Sequence, residues 1–315
     1  MRALRLHGPG DLRLEDVPDP VAGEGEVLLR VEVALTDGTD LKAYRRGHPV
    51  LLGPLPSPFG HEACGIDVAT GRRVVVANSA PCGSCAACAR GQQTLCESLF
   101  PLLNGAYAEL LLVPERIASV NLLPVPPGLA PEVAAMAEPL ACCLHGVEVA
   151  SVARGDTVAV VGLGPIGLML CACVADAGGR PVAVGSREER RALASAFGAV
   201  SADPAGADVV IEAAGTVEAW VRALELVRPG GTVLAFGGLA RDARVDIDPY
   251  RIHYEEVRLV GAFHHTPSDF RAALAFLASG AFPFERLITH EVGLEGVAAL
   301  FTEPPRDYLK AALRP

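Results

Sequence analysis

Residues 81–96 read PCGSCAACARGQQTLC and space four cysteines, Cys82, Cys85, Cys88 and Cys96, as C-x2-C-x2-C-x7-C. Thiolates packed this closely favour a tetrahedral Zn²⁺ site with Zn–S distances of about 2.3 Å. The small residues between them, Gly83 included, allow the tight turns that wrapping one ion requires. The competing reading is a pair of disulfides, which belongs to an oxidising compartment. No apolar signal segment is visible, so the expected compartment is a reducing cytoplasm. The spacing therefore predicts a structural zinc site that pins a loop and performs no chemistry itself.

The chain has 315 residues, room for two domains with separate cores. No uncharged apolar run approaches the roughly 18 residues a membrane span needs. A formal charge of −10 argues against nucleic acid and against an anionic membrane surface as partner. Residues 1–128 read as β-rich, with strand-like runs at Val27–Val33 and Arg72–Ala77 between Gly and Pro clusters. After Pro126-Pro127-Gly128 the spacing turns helical from Ala130 to Val152. Short apolar strands at Thr157–Val161, Pro181–Gly185, Asp208–Glu212, Thr232–Phe236 and Val257–Gly261 follow. Helical stretches separate several of them, at Gly167–Ala177, Glu188–Phe197 and Val217–Val227. That alternation over 129–263 predicts an α/β domain with a doubly wound parallel sheet. The tail, 264–315, opens with a helix at Ser268–Gly280 and is expected to rejoin the first domain.

Val158–Gly167 reads VAVVGLGPIG, a G-x-G-x-x-G that directly follows a strand and precedes a helix, the context a dinucleotide loop needs. Gly162 makes the turn, Gly164 admits a pyrophosphate to the backbone, and Gly167 lets the helix pack close. At the end of the next strand an acid would grip the ribose hydroxyls of NAD. This chain has Gly185-Ser186-Arg187 there. Glycine opens space, serine donates a hydrogen bond and arginine pairs with a phosphate dianion, so NADP(H) is expected over NAD(H).

Several motifs occur in a fixed order: Gly8-Pro-Gly-Asp-Leu-Arg-Leu, Gly25-Glu-Val-Leu-Leu-Arg-Val, Gly60-His61-Glu62, the cysteine quartet, Glu138-Pro139-Leu140, the glycine loop and Leu287-Ile-Thr-His290. Together they resemble the zinc-dependent medium-chain dehydrogenase/reductase family, which includes alcohol, sorbitol, threonine and glucose dehydrogenases. The resemblance spans essentially the whole chain. It implies a GroES-like β-rich catalytic domain, 1–128 with 264–315, split in sequence around a Rossmann domain, 129–263. It extends the cofactor contacts to Pro165, Ile166, Ala214 and Gly215, and it implies a homodimer or homotetramer through the edge strand Val257–Gly261.

The family takes a cysteine from C-G-[ST]-D as a ligand of its catalytic zinc. The corresponding residues here are Asp37-Gly38-Thr39-Asp40, and some glucose dehydrogenase-like members also carry Asp at the first position. The implied ligands are then Asp37, His61 and Glu138, with Glu62 joining or alternating with water. Carboxylate is a harder donor than thiolate. Thr39 occupies the position that commonly starts the proton relay. Lys42 stands where a relay histidine often sits; it could relay protons, bind a substrate hydroxyl or lie exposed. His145, His264, His265 and His290 are weaker signals.

The expected function is hydride transfer between NADP(H) and a polyol, sugar or related secondary alcohol, a small-molecule reaction of class EC 1.1.1. The carboxylate-rich site suits extra hydroxyls. Alternatives are a simple alcohol dehydrogenase or aldehyde reductase, a zinc-free quinone reductase, which the cysteines and His61-Glu62 oppose, and a nucleotide-binding relative that keeps only the structural zinc.

Overall fold

A computed structural model describes residues 1–48 and 52–315. They form two compact units, Met1–Pro139 with His265–Pro315, and Leu140–His264.

In the first unit the strand Val27–Leu35 (VLLRVEVAL) starts half-exposed and ends fully buried at Val33, Ala34 and Leu35. It therefore delivers Thr36 and Asp37 into the protein interior, where both are buried. Among the described residues, seven strands make the main sheet. Six run in the order Ile288–Val292, Lys310–Leu313, Val27–Leu35, Glu62–Asp67, Arg73–Val76 and Leu122–Pro124, and Leu110–Val113 pairs with the first half of Val27–Leu35. Leu35 faces Glu62 on one side and Ala312 on the other. This register gathers Thr36–Asp37, His61–Glu62 and Lys310–Ala311 at one end of the sheet, although they come from three distant parts of the chain. A second sheet orders Asp11–Asp16, Arg2–Gly8 and Ser57–Pro58. Phe59 packs against Tyr107 and Phe301, with ring centroids 5.7 and 6.4 Å apart, near edge-on.

The second unit carries five parallel strands in the order Arg180–Val184, Thr157–Val161, Ala207–Glu212, Val227–Ala235 and Arg258–Gly261. Thr157–Val161 lies between the strands that follow it, so the chain reverses its direction of winding there, the usual place for a ligand in such sheets. The helix Pro165–Asp176 is buried from Gly167 to Val174, as its sequence PIGLMLCACVAD requires. No helix among the described residues is long and apolar enough to cross a membrane.

Two sequence expectations shift. The helical stretch expected over Ala130–Val152 is two helices, Pro131–Ala134 and Ala137–Val149, so Glu138 sits in a first turn. The strand expected at Thr232 starts at Val227, because its Pro229-Gly230-Gly231 segment is absorbed as a bulge: pairing jumps from Ala207 with Val227 to Val209 with Thr232.

Gly167 tests this packing. A Cβ there would lie 1.8 Å from the Gly162 carbonyl oxygen. Replacing a helical Gly by Ala ordinarily stabilises by about 1 kcal/mol. Here Gly167→Ala should destabilise by about 3 kcal/mol through overpacking against backbone, read as a lower denaturant midpoint.

Candidate functional site

The four cysteines converge, with the Sγ atoms of Cys82, Cys85, Cys88 and Cys96 all within 4.8 Å of one another. Cys85 and Cys96 are 3.9 Å apart, too far for a disulfide and close to the roughly 3.8 Å edge of a tetrahedron with 2.3 Å bonds. Gly83 takes φ +75°, and the short helix Ala86–Ala89 turns the chain around the thiols. Backbone amides aim at the sulfurs: Cys82 N–H to Cys96 Sγ at 3.2 Å, Cys85 N–H to Cys82 Sγ at 3.3 Å and Ser98 N–H to Cys96 Sγ at 3.4 Å. The amides of Ser84 and Cys85 lower the Cys82 thiol to about 6. Desolvation and the neighbouring Cys85 thiol raise Cys88 to about 12. The loop is thus preset to bind a soft cation and to release protons as it does so.

The second cluster is built at the sheet end described above. Asp37 is the N-cap of the helix Gly38–Arg46; its Oδ1 accepts the Thr39 amide at 2.6 Å, and Asp40 returns the capping box by accepting the Asp37 amide at 3.1 Å. His61 Nδ1 lies 2.9 Å from Asp40 Oδ1, which leaves Nε2 to face elsewhere. Asp40 Oδ2 also accepts the Tyr107 hydroxyl at 2.6 Å. The Tyr107 ring covers Gly60 so closely that a Cβ there would lie 2.2 Å from it, and Gly60 has φ +87°. The glycine before His61 is thereby fixed by both conformation and space.

Lys310 is fully buried and aims all three ammonium hydrogens at oxygen: Thr36 O at 3.0 Å, and Glu62 Oε1 and Oε2 at 2.8 and 2.7 Å. Asp37 Oδ2 stands 3.6 Å away. Burial raises the Glu62 carboxyl and opposes the lysine charge, but contact with two carboxylates outweighs burial for Lys310, whose pKa is raised. We read the pair as charged, ammonium on carboxylate. Burial also opposes ionisation of Asp37, yet the charges of Lys310 and His61 and the bonds from Thr39 hold it well below the usual carboxylate range. Burial works against protonated His61, but Asp40, with Glu138 and Asp37, raises it to about 10.

The ligand atoms of Asp37, His61 and Glu62 lie within 4.8 Å of one another. Glu138 is not in that group; it is near enough to act electrostatically on His61 and Glu62, and its Oε1 is 3.9 Å from His265 Nε2. The buried carboxylates Asp37, Asp40, Glu62 and Glu138 outnumber the cations set among them, an imbalance that suits a divalent ion of oxygen- and nitrogen-seeking character. Thr39 is half-buried beside Asp37. Lys42, half-buried, lies one helical turn further on, and burial, then the charges of His61 and Lys42, lower the His48 imidazole. Lys310 and Tyr107 join the site without a motif to announce them, whereas Asp40 closes the Asp37-Gly38-Thr39-Asp40 motif. The scarcity of lysine, confined to Lys42 and Lys310, is the sole sequence signal for the first of them.

In the second unit, Gly162 (φ +100°) packs against the turn that carries Ala214, where a Cβ would come within 2.8 Å of the Ala214 nitrogen. Glu212 Oε1 accepts both the Ala214 and Gly215 amides, at 2.8 and 2.6 Å, and shapes that turn. A Cβ at Gly164, the N-cap of the helix Pro165–Asp176, would meet nothing within 4 Å. The first helical turn thus presents its backbone to open space at the chain reversal, as a pyrophosphate cradle requires. At Gly185 a Cβ would come within 3.0 Å of the Leu163 side chain, so packing adds a second reason for glycine there. Ser186 and Arg187 are exposed. Arg190, half-buried and one turn beyond Arg187, is lowered by burial and by the charge of Arg187, which makes the two a basic pair.

Comparison with known proteins agrees with this architecture. Residues 23–127 match the alcohol dehydrogenase GroES-like domain and residues 165–279 the zinc-binding dehydrogenase domain. Erythritol/L-threitol dehydrogenase of Mycolicibacterium smegmatis is 33% identical, over 93% of this chain and 91% of that protein. D-altritol 5-dehydrogenase of Agrobacterium fabrum is 31% identical, over 98% and 97%. A structure from Sinorhizobium meliloti 1021 with NADP bound is 30% identical and superposes with a TM-score of 0.89, over 100% of this chain and 99% of that one. The fold, a GroES-like unit with a Rossmann unit, is that of an oxidoreductase. The chain belongs to the zinc-dependent medium-chain dehydrogenase family.

Tyr107→Phe removes the hydroxyl that satisfies buried Asp40 and should cost about 1–3 kcal/mol in unfolding free energy. Cys96→Ser should lower the metal content by one equivalent per chain, measured by elemental analysis, and expose the 81–96 loop to proteolysis.

Proposed function

We propose that this chain transfers hydride between NADP(H) and a polyol or sugar-derived secondary alcohol. The observation that carries the reading is the buried group Asp37, His61 and Glu62 with Glu138 close by, a donor set of oxygen and nitrogen in which carboxylates outnumber what one ion needs. Relatives named for erythritol, L-threitol and D-altritol support a polyhydroxylated substrate.

Asp37, His61 and Glu138 would hold the catalytic zinc, and Cys82, Cys85, Cys88 and Cys96 the structural one. When bound, zinc supplies Lewis acidity that lowers the pKa of the substrate hydroxyl, and NADP⁺ supplies the hydride acceptor. The chain's own residues do the rest. Asp40 fixes the His61 ring through Nδ1, and Tyr107 fixes Asp40. Thr39 takes up the substrate's hydroxyl proton as it releases its own to solvent, and Lys42, one helical turn further on, is placed to donate a hydrogen bond to a further substrate hydroxyl. The Glu138 oxygen left over from the ion accepts a hydrogen bond from a neighbouring hydroxyl and orients the reacting carbon. Gly162, Gly164, Pro165, Ile166 and Gly167 cradle the pyrophosphate, Ala214 and Gly215 line the nicotinamide half, and Ser186 and Arg187 with Arg190 take the 2′-phosphate. The NADP-bound neighbour and the absence of an acid at Gly185 support that choice.

Initial rates on four- to six-carbon polyols against simple secondary alcohols test the substrate class. Polyols should be favoured in kcat/KM by about tenfold or more, since a hydroxyl bonded to a carboxylate is worth about 1.5 kcal/mol. Equal rates on butan-2-ol would replace this reading with a simple alcohol dehydrogenase. For the cofactor, Arg187→Ala should lower the NADP⁺ over NAD⁺ preference about tenfold, mainly through KM for NADP⁺. A wild type that prefers NAD⁺ would contradict it.

A further inference from the structure

The segment after the strand Arg180–Val184 carries Arg187, Arg190 and Arg191, but also two acids, Glu188 and Glu189. A carboxylate there opposes a phosphate dianion, because it repels the ligand and competes for Arg187. Arg191 engages the acid next to Arg187. Its Nη2 holds the Glu188 carboxylate across an i,i+3 step, and its Nη1 donates to the Gly185 carbonyl at 2.5 Å. Its backbone amide donates to the Arg187 carbonyl at 3.1 Å, so one residue ties the turn at three points. The carbonyl and the following N–H of a trans peptide point in opposite directions. Fixing the Gly185 carbonyl on Arg191 therefore turns the Ser186 amide away from it. Leu163 packs on the same glycine, where a Cβ would lie 3.0 Å away. The Arg191 side chain is 40% exposed and that of Glu188 77%, so their ion pair adds little to stability. What it changes is the charge and the shape that the turn presents.

We propose that Arg191 is a positioning residue for the 2′-phosphate end of NADP(H): it fixes the Gly185–Arg187 turn and withholds Glu188 from Arg187 and the phosphate. Arg191 acts through its neighbours and does not itself grip the ligand, since its guanidinium is committed to Gly185 and Glu188. The inference rests on the reading that this turn takes NADP(H).

The test is calorimetric titration of the full zinc-loaded chain with NADPH and with NADH, at one fixed salt concentration. Wild type should bind NADPH more tightly. At physiological salt, a unit charge roughly 7 Å from a dianion changes affinity about two- to sevenfold. Arg191→Met, which frees both Glu188 and the Gly185 carbonyl, should therefore weaken NADPH about fivefold and NADH less than twofold. Its melting temperature should stay at the wild-type value, as expected for an exposed pair. Glu188→Gln/Arg191→Met restores the net charge of the turn and should bring the Kd for NADPH back to within about twofold of wild type. An Arg191 that itself held the phosphate would lose affinity that Glu188→Gln could not return. Unchanged NADPH binding in Arg191→Met, equal loss for both cofactors, or no recovery in the double variant overturns the proposal. A wild type that binds NADH at least as tightly would defeat the NADP(H) reading, and the proposal with it, before any variant is made.

Discussion

A lysine ammonium sealed from water has to be matched by oxygen atoms at every hydrogen, and the arrangement around Lys310 does this with Thr36 and Glu62 while leaning on Asp37. Three separate strand ends must meet for that match to exist. The pairing of Leu35 with Glu62 and with Ala312 brings them together, so the sheet register and the charge cluster specify each other. A slip of one residue on any of the three strands would turn Lys310 or Glu62 out of the cluster and bury an unpaired charge. The catalytic chemistry proposed here is built on that constraint.

The nucleotide unit depends on a different kind of limit, the closeness of backbones. Gly167 touches the Gly162 carbonyl, Gly162 touches the turn at Ala214, and Glu212 ties that turn by two amides. Each contact leaves no room for a side chain, and together they hold the helix start in place where the chain reverses. The open space left at Gly164 is the complement of that tightness. The same physical theme recurs at Gly60, where the Tyr107 ring takes the volume a side chain would need.

Features that are local along the chain are legible in the residues themselves. Cysteine spacing alone brings Cys82, Cys85, Cys88 and Cys96 to one loop, and the glycine pattern alone sets the turn that opens the helix Pro165–Asp176. Alternating Val-rich strands and helices are enough for the α/β class. Lys310 is not legible as a site residue, because it lies 248 residues from Glu62 and meets it through strand register, which residue pattern does not reveal. Tyr107 escapes for the same reason, its partner Asp40 being 67 residues away. At Gly185 a further constraint, the side chain of Leu163, comes from another turn of the chain and is not visible in the residue pattern. The break of one expected helix at Ala135–Met136 does have a local cause: Pro139 has no N–H for the Ala135 carbonyl four residues back and its ring crowds it, so one continuous helix cannot pass through.

Anomalous diffraction at the zinc edge, on crystals of the metal-loaded protein, tests the account most directly. Two peaks are predicted: one about 2.3 Å from the four cysteine sulfurs, the other about 2.0–2.2 Å from Asp37, His61 and Glu138. A single peak at the cysteines would contradict it.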